Sequence, residues 1–293
     1  MSHLDTPFSL MVRAVVAGAA ALAVALSPTA AQERVVSIGG DVTEIIFALG
    51  AGDRIVAADS TSVYPAQTEA LPKVGYLRQL SAEGVLSAEP DLIIISGAAG
   101  PEPALELLRA SGVPMVEMET AYTIDSIVDK TLRTAKALNK DAEGEALAAT
   151  IKADWAAAKE TIDTLNFSPK ALFVAATADG AARAAGTQTA ADGVITLMGG
   201  QNVFDDFTGY KTLSLEAAVA ADPDVILMMI HHAGRVGGVD AVADHPAISL
   251  TNAAQSGDIY FIDQLEVMQF SPRTPKAVAR LVEKIAARRS ASE

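Results

Sequence analysis

Residues 80–93 read LSAEGVLSAEPDLI, and residues 213–226 read LSLEAAVAADPDVI. Seven of the 14 aligned positions are identical, and a Gly-Tyr pair precedes each copy, at Gly75-Tyr76 and at Gly209-Tyr210. Each copy predicts a short helix, a Pro-Asp turn and a buried strand. A generic connection between a helix and a strand would reproduce the Pro-Asp turn alone, whereas this repeat also includes the Leu-Ser-x-Glu start of the helix. The repeat therefore predicts two similar lobes.

Short apolar runs between helical patterns indicate the class of each lobe. The runs are Val35–Ile38, Ile55–Ala58, Leu92–Ile95 and Met115–Met118 in the N-terminal half, and Ala171–Ala175, Val225–Ile230 and Ile259–Ile262 in the C-terminal half. Continuous apolar runs of this length are typical of strands in parallel sheets that are covered on both faces. The predicted fold class is therefore α/β, with two similar α/β lobes built on central parallel sheets and a ligand cleft between them.

A long helix is predicted between the lobes. Apolar residues recur at helical spacing from residue 141 to residue 165, and Asn-Phe-Ser-Pro at residues 166–169 ends the pattern. The apolar positions are Leu147, Ile151, Trp155, Ala158, Ile162 and Leu165. Such a helix is about 37 Å long. It is predicted to be a rigid connector that packs along both lobes, and an ordinary surface helix within one domain is the alternative.

The first 31 residues have the layout of a secretory signal. Arg13 precedes the apolar run Ala14–Leu26, and small residues follow as far as Ala31. This run is shorter than the roughly 20 residues that span a bilayer, and an uncleaved membrane anchor is the alternative. The predicted organisation is a signal peptide at residues 1–31, an N-terminal lobe at 32–140, an interlobe helix at 141–167 and a C-terminal lobe at 168–293.

The composition and the missing motifs narrow the function. The 293 residues include 36 Asp and Glu against 22 Lys and Arg, which gives a formal net charge of −14, and there is no cysteine. This charge disfavours nucleic acid and anionic membrane surfaces as partners, and the lack of cysteine excludes thiol nucleophiles, disulfides and cysteine-ligated metals. The nucleophile-elbow, dinucleotide-binding and phosphate-loop motifs are also absent. The chain is therefore predicted not to be an enzyme, and a metal-dependent hydrolase that uses His231 and His232 is the alternative.

The predicted cleft contains a candidate iron ligand. Ligands of α/β lobes bind beyond the carboxyl ends of the strands, which selects Gly39-Gly40, the Tyr76 loop, Ser96-Gly97, Tyr122, Thr177, the Tyr210 loop and His231-His232. A phenolate is a hard anionic oxygen that suits ferric iron, and tyrosine is a known ligand of haem iron. Because a free phenol has a pKa near 10, the iron and a nearby cation such as Arg78 would have to stabilise the anion. On residue type alone, ordinary packing of a Tyr-x-Arg loop remains open for Tyr76 and Arg78.

One segment carries a specific family resemblance. It is VGYLRQLSAEG at residues 74–84, and residues 185–192, 237–240 and 271–275 support it. Through these segments the chain, from Arg34 to Arg288, resembles the periplasmic haem-binding proteins of bacterial haem ABC importers. These belong to the helix-linked group of periplasmic binding proteins, which also serve siderophores and vitamin B12. The resemblance implies that Tyr76 is the axial ligand of the haem iron and that Arg78 supports it by a hydrogen bond.

The resemblance also implies a biological role. It describes a protein of the periplasm that binds haem (hemin, Fe(III) protoporphyrin IX) in the interlobe cleft and delivers it to an ABC transporter permease dimer at the inner membrane. An outer-membrane haem receptor system is a further partner, and no nucleic acid is involved. The alternative cargo is a ferric siderophore, to which Arg78, Arg183, Lys211 and Arg235 would contribute, or a corrinoid.

Three more residues are candidates for the cleft. Tyr210, the repeat partner of Tyr76, is predicted to face it, either to stack on the porphyrin or bond a propionate, or to pack the lobes together. His231 and His232 could ligate the opposite face of the iron, contact a propionate, or only form hydrogen bonds in a turn. Some relatives carry a histidine early in the second lobe, but residues 175–180 contain none. One haem with a single protein ligand is therefore the expectation.

Glu83 and Glu216 occupy matching positions of the repeat, each two residues after a serine that can cap a helix. An early carboxylate in a helix compensates the positive end of the helix dipole. The resemblance implies a second role, in which one exposed glutamate per lobe meets arginines of the permease. Two such sites related by a pseudo-twofold axis fit a symmetric permease dimer.

Overall fold

The computed structural model describes residues 34–166, 168–176, 181–230 and 242–290. The predicted signal peptide, His231, His232 and the segment 237–240 lie outside the described residues. The strands are β1 Val35–Ile38, β2 Ile55–Ala58, β3 Leu92–Ile95, β4 Met115–Glu117, β5 Lys170–Ala176, β6 Ala182–Ala185, β7 Gln201–Asn202, β8 Tyr210–Thr212, β9 Val225–Met229 and β10 Ile259–Ile262. The helices are α1 Gly40–Ala48, α2 Ala82–Leu86, α3 Glu102–Ala110, α4 Ile124–Ala137, α5 Asp141–Leu165, α6 Ala190–Leu197, α7 Leu215–Ala221, α8 Asn252–Ser256, α9 Gln264–Val267 and α10 Thr274–Ser290.

The N-terminal lobe is built on a parallel sheet of four strands, in the order β2-β1-β3-β4. All four strands begin and end within one residue of the predicted runs. Alternate residues of β3 enter different clusters of the core: Leu92 and Ile94 pack with α1 and α4, whereas Ile93 and Ile95 pack with α2 and α3. The sheet is therefore covered on both faces, as the continuous apolar runs predict.

The C-terminal lobe is built on a larger sheet, in the order β10-β9-β5-β6-β8, with β7 also paired to β5. Strands β10, β9 and β5 are parallel and correspond to the predicted runs, whereas β6 and β8 are antiparallel additions that the sequence analysis did not predict. Strand β6 is Ala-Arg-Ala-Ala and β8 is Tyr-Lys-Thr. Neither is a continuous apolar run, because these strands extend the sheet toward solvent on one side. The α/β fold class is confirmed.

Helix α5 connects the two lobes and packs on both. It contacts α4 on the N-terminal side and α10 on the C-terminal side. Ile151 lies in the same core cluster as residues of β5 and β9, while Leu147 packs against this cluster and against the core of the N-terminal lobe. At Gly144 a Cβ atom would lie 2.3 Å from the Cβ of Ala135, so glycine allows α4 and α5 to approach closely. The predicted role as a connector packed along both lobes is therefore confirmed.

The lobes also meet directly, through α1 and the segment 269–274. Glu44 of α1 is buried, and its two carboxylate oxygens accept hydrogen bonds from Arg273 Nε at 3.0 Å each. Ser271 Oγ donates to Glu44 Oε1 at 2.9 Å. Arg273 also stacks over the ring of Tyr64, 3.6 Å from its centroid. These contacts join the two lobes directly.

Candidate functional site

A cleft of about 860 Å³ lies between the lobes. The N-terminal lobe contributes Tyr76 and Arg78 to its lining, and the C-terminal lobe contributes Arg183 and Tyr210. Tyr122, which precedes α4, also lines the cleft and packs against Phe270 with 5.2 Å between the ring centroids. Other predicted lining residues that the structure places here are Gly39, Gly40 and Ser96. The volume lies in the upper part of the range typical of small-molecule sites.

Tyr76 lies in a loop that is held on both sides. The preceding residue, Gly75, has φ +105°, a conformation that glycine adopts without strain. Its carbonyl oxygen accepts a hydrogen bond from Ser60 N at 2.8 Å, and the carbonyl of Tyr76 accepts one from Gln79 N at 2.8 Å. Leu77 is buried in the core beneath the loop. The backbone is therefore fixed while the Tyr76 side chain remains 40% exposed in the cleft.

A buried carboxylate supports this loop from below. Asp59 is fully buried, and its Oδ1 accepts hydrogen bonds from Gly39 N at 2.8 Å and Ser62 Oγ at 2.7 Å. Its Oδ2 accepts from Thr61 N at 2.8 Å and Thr61 Oγ1 at 2.6 Å. Asp59 thus connects the turn before α1 with the segment 60–62, whose Ser60 holds Gly75. The sequence analysis missed this residue, although an aspartate directly after a buried strand is a recognisable signal.

Tyr210 begins β8 on the opposite wall and is half-buried. Burial raises the pKa of its phenol, and the neighbouring Tyr122 phenol raises it further, while Arg78, a hydrogen bond with Thr189 and Arg183 lower it in part. The net effect keeps Tyr210 protonated at neutral pH, so its hydroxyl can donate a hydrogen bond to a ligand. Like Tyr76, it follows a glycine with positive φ, in this case +80°. The structure therefore places both Gly-Tyr pairs of the repeat at the same cleft.

A buried ion pair forms part of the cleft floor. Lys130 Nζ donates to Asp41 Oδ2 at 2.6 Å and to the carbonyl oxygen of Phe270 at 2.9 Å. Ser96 Oγ donates to Asp41 Oδ2 at 3.2 Å. The sequence analysis missed this cluster. Lys130 shares a face of α4 with the buried Ile127. A lysine on an apolar helix face is a sequence signal for a buried ion pair. The sequence does not identify its partner, which lies 89 positions away.

Glu83 and Glu216 lie outside the cleft lining, in the first turns of α2 and α7. The Ser81 and Ser214 side chains cap these helices by accepting hydrogen bonds from Gly84 N at 3.3 Å and Ala217 N at 3.2 Å. Both glutamates are exposed. Hydrogen bonds from its own backbone N–H and from Ser214 lower the pKa of Glu216. The predicted serine caps are confirmed, and the docking role stays a prediction.

Some predicted positions are not placed by the structure. Thr177, His231, His232 and Arg235 lie outside the described residues. Within the described ranges, no group of three or more His, Asp and Glu side chains is arranged to hold a metal ion. Over the same ranges, no helix combines the length and the apolar character needed to cross a membrane.

Comparisons with known proteins agree with this architecture. A family model described as periplasmic binding protein matches residues 35–265. The periplasmic haem-binding protein RhuT from Roseiflexus sp. RS-1, solved in apo form, is 38% identical, with a TM-score of 0.82 over 87% of this chain and 98% of that chain. The periplasmic haem-binding protein BhuT, solved in complex with two haems, is 36% identical, with a TM-score of 0.83 over the same shares.

One relative is named for a ligand other than haem. The vitamin B12-binding protein of Vibrio campbellii is 28% identical over 200 residues, which is 68% of this chain and 71% of that protein. The resemblance drawn from residues 74–84 is therefore confirmed at the level of the family and of its haem-binding structures. This chain belongs to the periplasmic binding protein family.

Proposed function

We propose that this protein is the substrate-binding protein of an ABC-type haem importer. It binds ferric haem in the interlobe cleft and releases it unchanged to the permease. The observation that carries the proposal is the Tyr76 phenol, which lines a cleft of about 860 Å³ while its backbone is held by hydrogen bonds. The haem-binding relatives, matched over 87% of this chain, support the same cargo.

The chemistry of the N-terminal wall fits an iron porphyrin. A phenolate oxygen from Tyr76 would be the axial ligand of the ferric iron. Arg78 lies two residues on, lines the same cleft and pairs with no carboxylate among the described residues. Its guanidinium is therefore available to donate a hydrogen bond to the phenolate and to stabilise the negative charge. The iron supplies the remaining stabilisation of the anion.

The proposed route begins with export and ends at the inner membrane. Residues 1–31 direct the chain to the periplasm and are removed there, an outer-membrane haem receptor system supplies the haem, and the exposed Glu83 and Glu216 orient the loaded protein on the permease dimer. Contacts between exposed charges set the rate and orientation of encounter more than the affinity. The protein catalyses no reaction in this cycle.

A hemin titration followed by absorbance tests the proposal. The protein is expected to shift the Soret band and to give a high-spin spectrum typical of tyrosinate ligation. Tyr76→Phe removes the ligand oxygen and keeps the ring, so it should abolish that spectrum. Tyr64→Phe is the matched control, because Tyr64 is also exposed, at 43%, but does not line the cleft. An unchanged hemin spectrum in Tyr76→Phe would contradict the assignment of the ligand.

A corrinoid is the second candidate cargo, since the Vibrio campbellii relative is a vitamin B12-binding protein. Cyanocobalamin added to the same titration separates the two candidates. Haem as the cargo predicts saturable hemin binding that cobalamin does not displace. Tight cobalamin binding together with weak, unsaturable hemin binding would favour the corrinoid instead.

A further inference from the structure

Two arginines in the cleft of this strongly acidic protein form no ion pair with any carboxylate in the part of the chain that the structure describes. The chain has a net charge of −14, and several arginines outside the cleft pair with carboxylates, among them Arg109, Arg273 and Arg280. Within the described residues, neither Arg78 nor Arg183 has a carboxylate within ion-pairing distance. Both line the cleft. Their positive charge is therefore available to a ligand.

Arg183 is held in place without being neutralised. It is the one long side chain in the β6 strand Ala-Arg-Ala-Ala, between the buried Ala182 and Ala184. Its Nη2 donates to the carbonyl oxygen of Tyr210 at 2.6 Å, and its guanidinium carbon lies 5.9 Å from the centroid of the Tyr210 ring. A guanidinium has five N–H donors, so this bond orients the group and leaves donors for a second acceptor.

Arg183 and Arg78 line the same cleft from opposite walls. Both cations lower the proton affinity of the Tyr210 phenol in part. Arg78, Arg183 and Tyr210 all line this cleft, so both guanidinium groups border the same ligand space. The cleft combines two cations that have no carboxylate partner among the described residues with a phenol hydroxyl that can donate, and it therefore favours an anionic acceptor. Arg78 is already assigned to the phenolate of Tyr76, which leaves Arg183 for the rest of the ligand.

We propose that Arg183 binds a carboxylate substituent of the macrocycle and thereby selects an anionic macrocycle over a neutral one. This inference rests on the proposed function, because haem bears carboxylate side chains on its rim. An arginine can bind a carboxylate through two parallel hydrogen bonds, which adds geometric specificity to the charge. A neutral macrocycle that enters the cleft leaves the guanidinium without an anion. The cleft thus holds its cargo at two points, the iron on the N-terminal wall and a carboxylate on the C-terminal wall.

The test compares two ligands and two proteins. Hemin carries two carboxylates that hemin dimethyl ester replaces with neutral methyl esters, and both ligands can be titrated into the unaltered protein and into Arg183→Gln. We expect the unaltered protein to bind hemin roughly tenfold more tightly than the ester, and Arg183→Gln to lose that preference by weakening hemin alone. Arg183→Lys, which keeps the charge, should retain part of the preference. Lys152→Gln is the control for net charge, since Lys152 is exposed on α5 and away from the cleft.

Each other outcome has a distinct meaning. If Arg183→Gln weakens hemin and the ester equally, the arginine only supports Tyr210 and the inference is overturned. If the variant binds both ligands as tightly as the unaltered protein does, the inference is also overturned. If the unaltered protein binds the ester with a normal tyrosinate spectrum and no preference for hemin, haem binding stands and selection by Arg183 is wrong. Failure of the unaltered protein to bind either ligand would overturn the proposed function itself.

Discussion

Tyr76 and Tyr210 occupy matching positions of the repeat, yet their surroundings give them different chemistry. Tyr76 is 40% exposed in a loop, whereas Tyr210 begins a strand and is half-buried beside Tyr122. Burial raises the pKa of Tyr210 above its value in the unfolded chain. The neutral phenol therefore stabilises the fold below pH of about 10, and this contribution is lost as the pH rises through the folded pKa. Tyr210 therefore suits hydrogen bonding, and Tyr76 remains the proposed iron ligand.

Some residues of the candidate site can be predicted from the sequence alone, and others cannot. Tyr76 and Arg78 lie two residues apart within one specific segment, so their roles can be proposed from the sequence alone. The pair of Lys130 with Asp41 depends on a contact between residues 89 positions apart, which no local pattern encodes. Arg183 gives a local signal, a lone cation in an alanine run, but its function depends on Tyr210 beside it.

Asp59 provides a prediction at this scale. Alanine at this position leaves the donors of Gly39, Thr61 and Ser62 without an acceptor, whereas asparagine keeps one of the two acceptor oxygens. We expect Asp59→Asn to lower the free energy of unfolding by about 2 kcal/mol and Asp59→Ala by about 4 kcal/mol. Because the segment 60–62 also holds Gly75, hemin affinity should fall in both variants. Urea unfolding and the hemin titration measure the two effects.

Asp53→Asn is the control for Asp59, since Asp53 is exposed in the neighbouring turn. Equal free energies of unfolding in the Asp59 and Asp53 variants would refute the prediction that Asp59 stabilises the fold. A destabilised Asp59→Asn protein with unchanged hemin affinity would show that the Tyr76 loop is positioned without Asp59.

The sequence predicts those secondary-structure elements whose residues are apolar because they are buried. Strands β1 to β5, β9 and β10 are continuous apolar runs because helices cover both faces. The edge strands β6 and β8 carry Arg183, Tyr210 and Lys211. These side chains line the cleft or are exposed to solvent. Their strand conformation comes from pairing with β5 and with each other, which is a tertiary effect. The unpredicted elements are thus the ones nearest the proposed carboxylate site.

The matched helices α2 and α7 carry the prediction about docking. Glu83 and Glu216 are exposed in capped first turns, outside the cleft lining. We expect Glu83→Lys combined with Glu216→Lys to leave hemin affinity unchanged and to reduce haem uptake by a reconstituted transporter at least roughly tenfold, because charge complementarity with the permease is reversed. Uptake of haem into proteoliposomes measures this.

The control for docking keeps the same change in net charge. Glu145→Lys combined with Glu160→Lys alters two exposed glutamates of α5 instead. Similar loss of uptake in both double variants would mean that net charge matters and the positions on α2 and α7 do not. Uptake equal to that of the unaltered protein in the Glu83 and Glu216 variant would contradict docking at these residues.

At the scale of the whole molecule, several buried polar contacts join residues of the two lobes that are far apart in the sequence. Glu44 lies 229 positions from Arg273, and Lys130 lies 140 positions from Phe270. Sequence patterns predict each lobe because its strands and helices are local, but they do not show which buried charges meet across the lobes. The contacts between the lobes are therefore visible only in the assembled fold.

These crossing contacts predict a cleft that changes little on loading. Opening the lobes would expose the Glu44 and Arg273 pair and would bend or tilt α5, which packs on both sides. We expect small-angle X-ray scattering to give the same radius of gyration, within about 0.5 Å, with and without hemin. Arg273→Met leaves the buried Glu44 carboxylate without its cation, so it should lower the free energy of unfolding by about 3 kcal/mol. Glu44→Gln combined with Arg273→Met should recover part of that loss, because the unpaired charge is gone. A clear contraction of the unaltered protein on hemin binding would show that the lobes move despite these contacts.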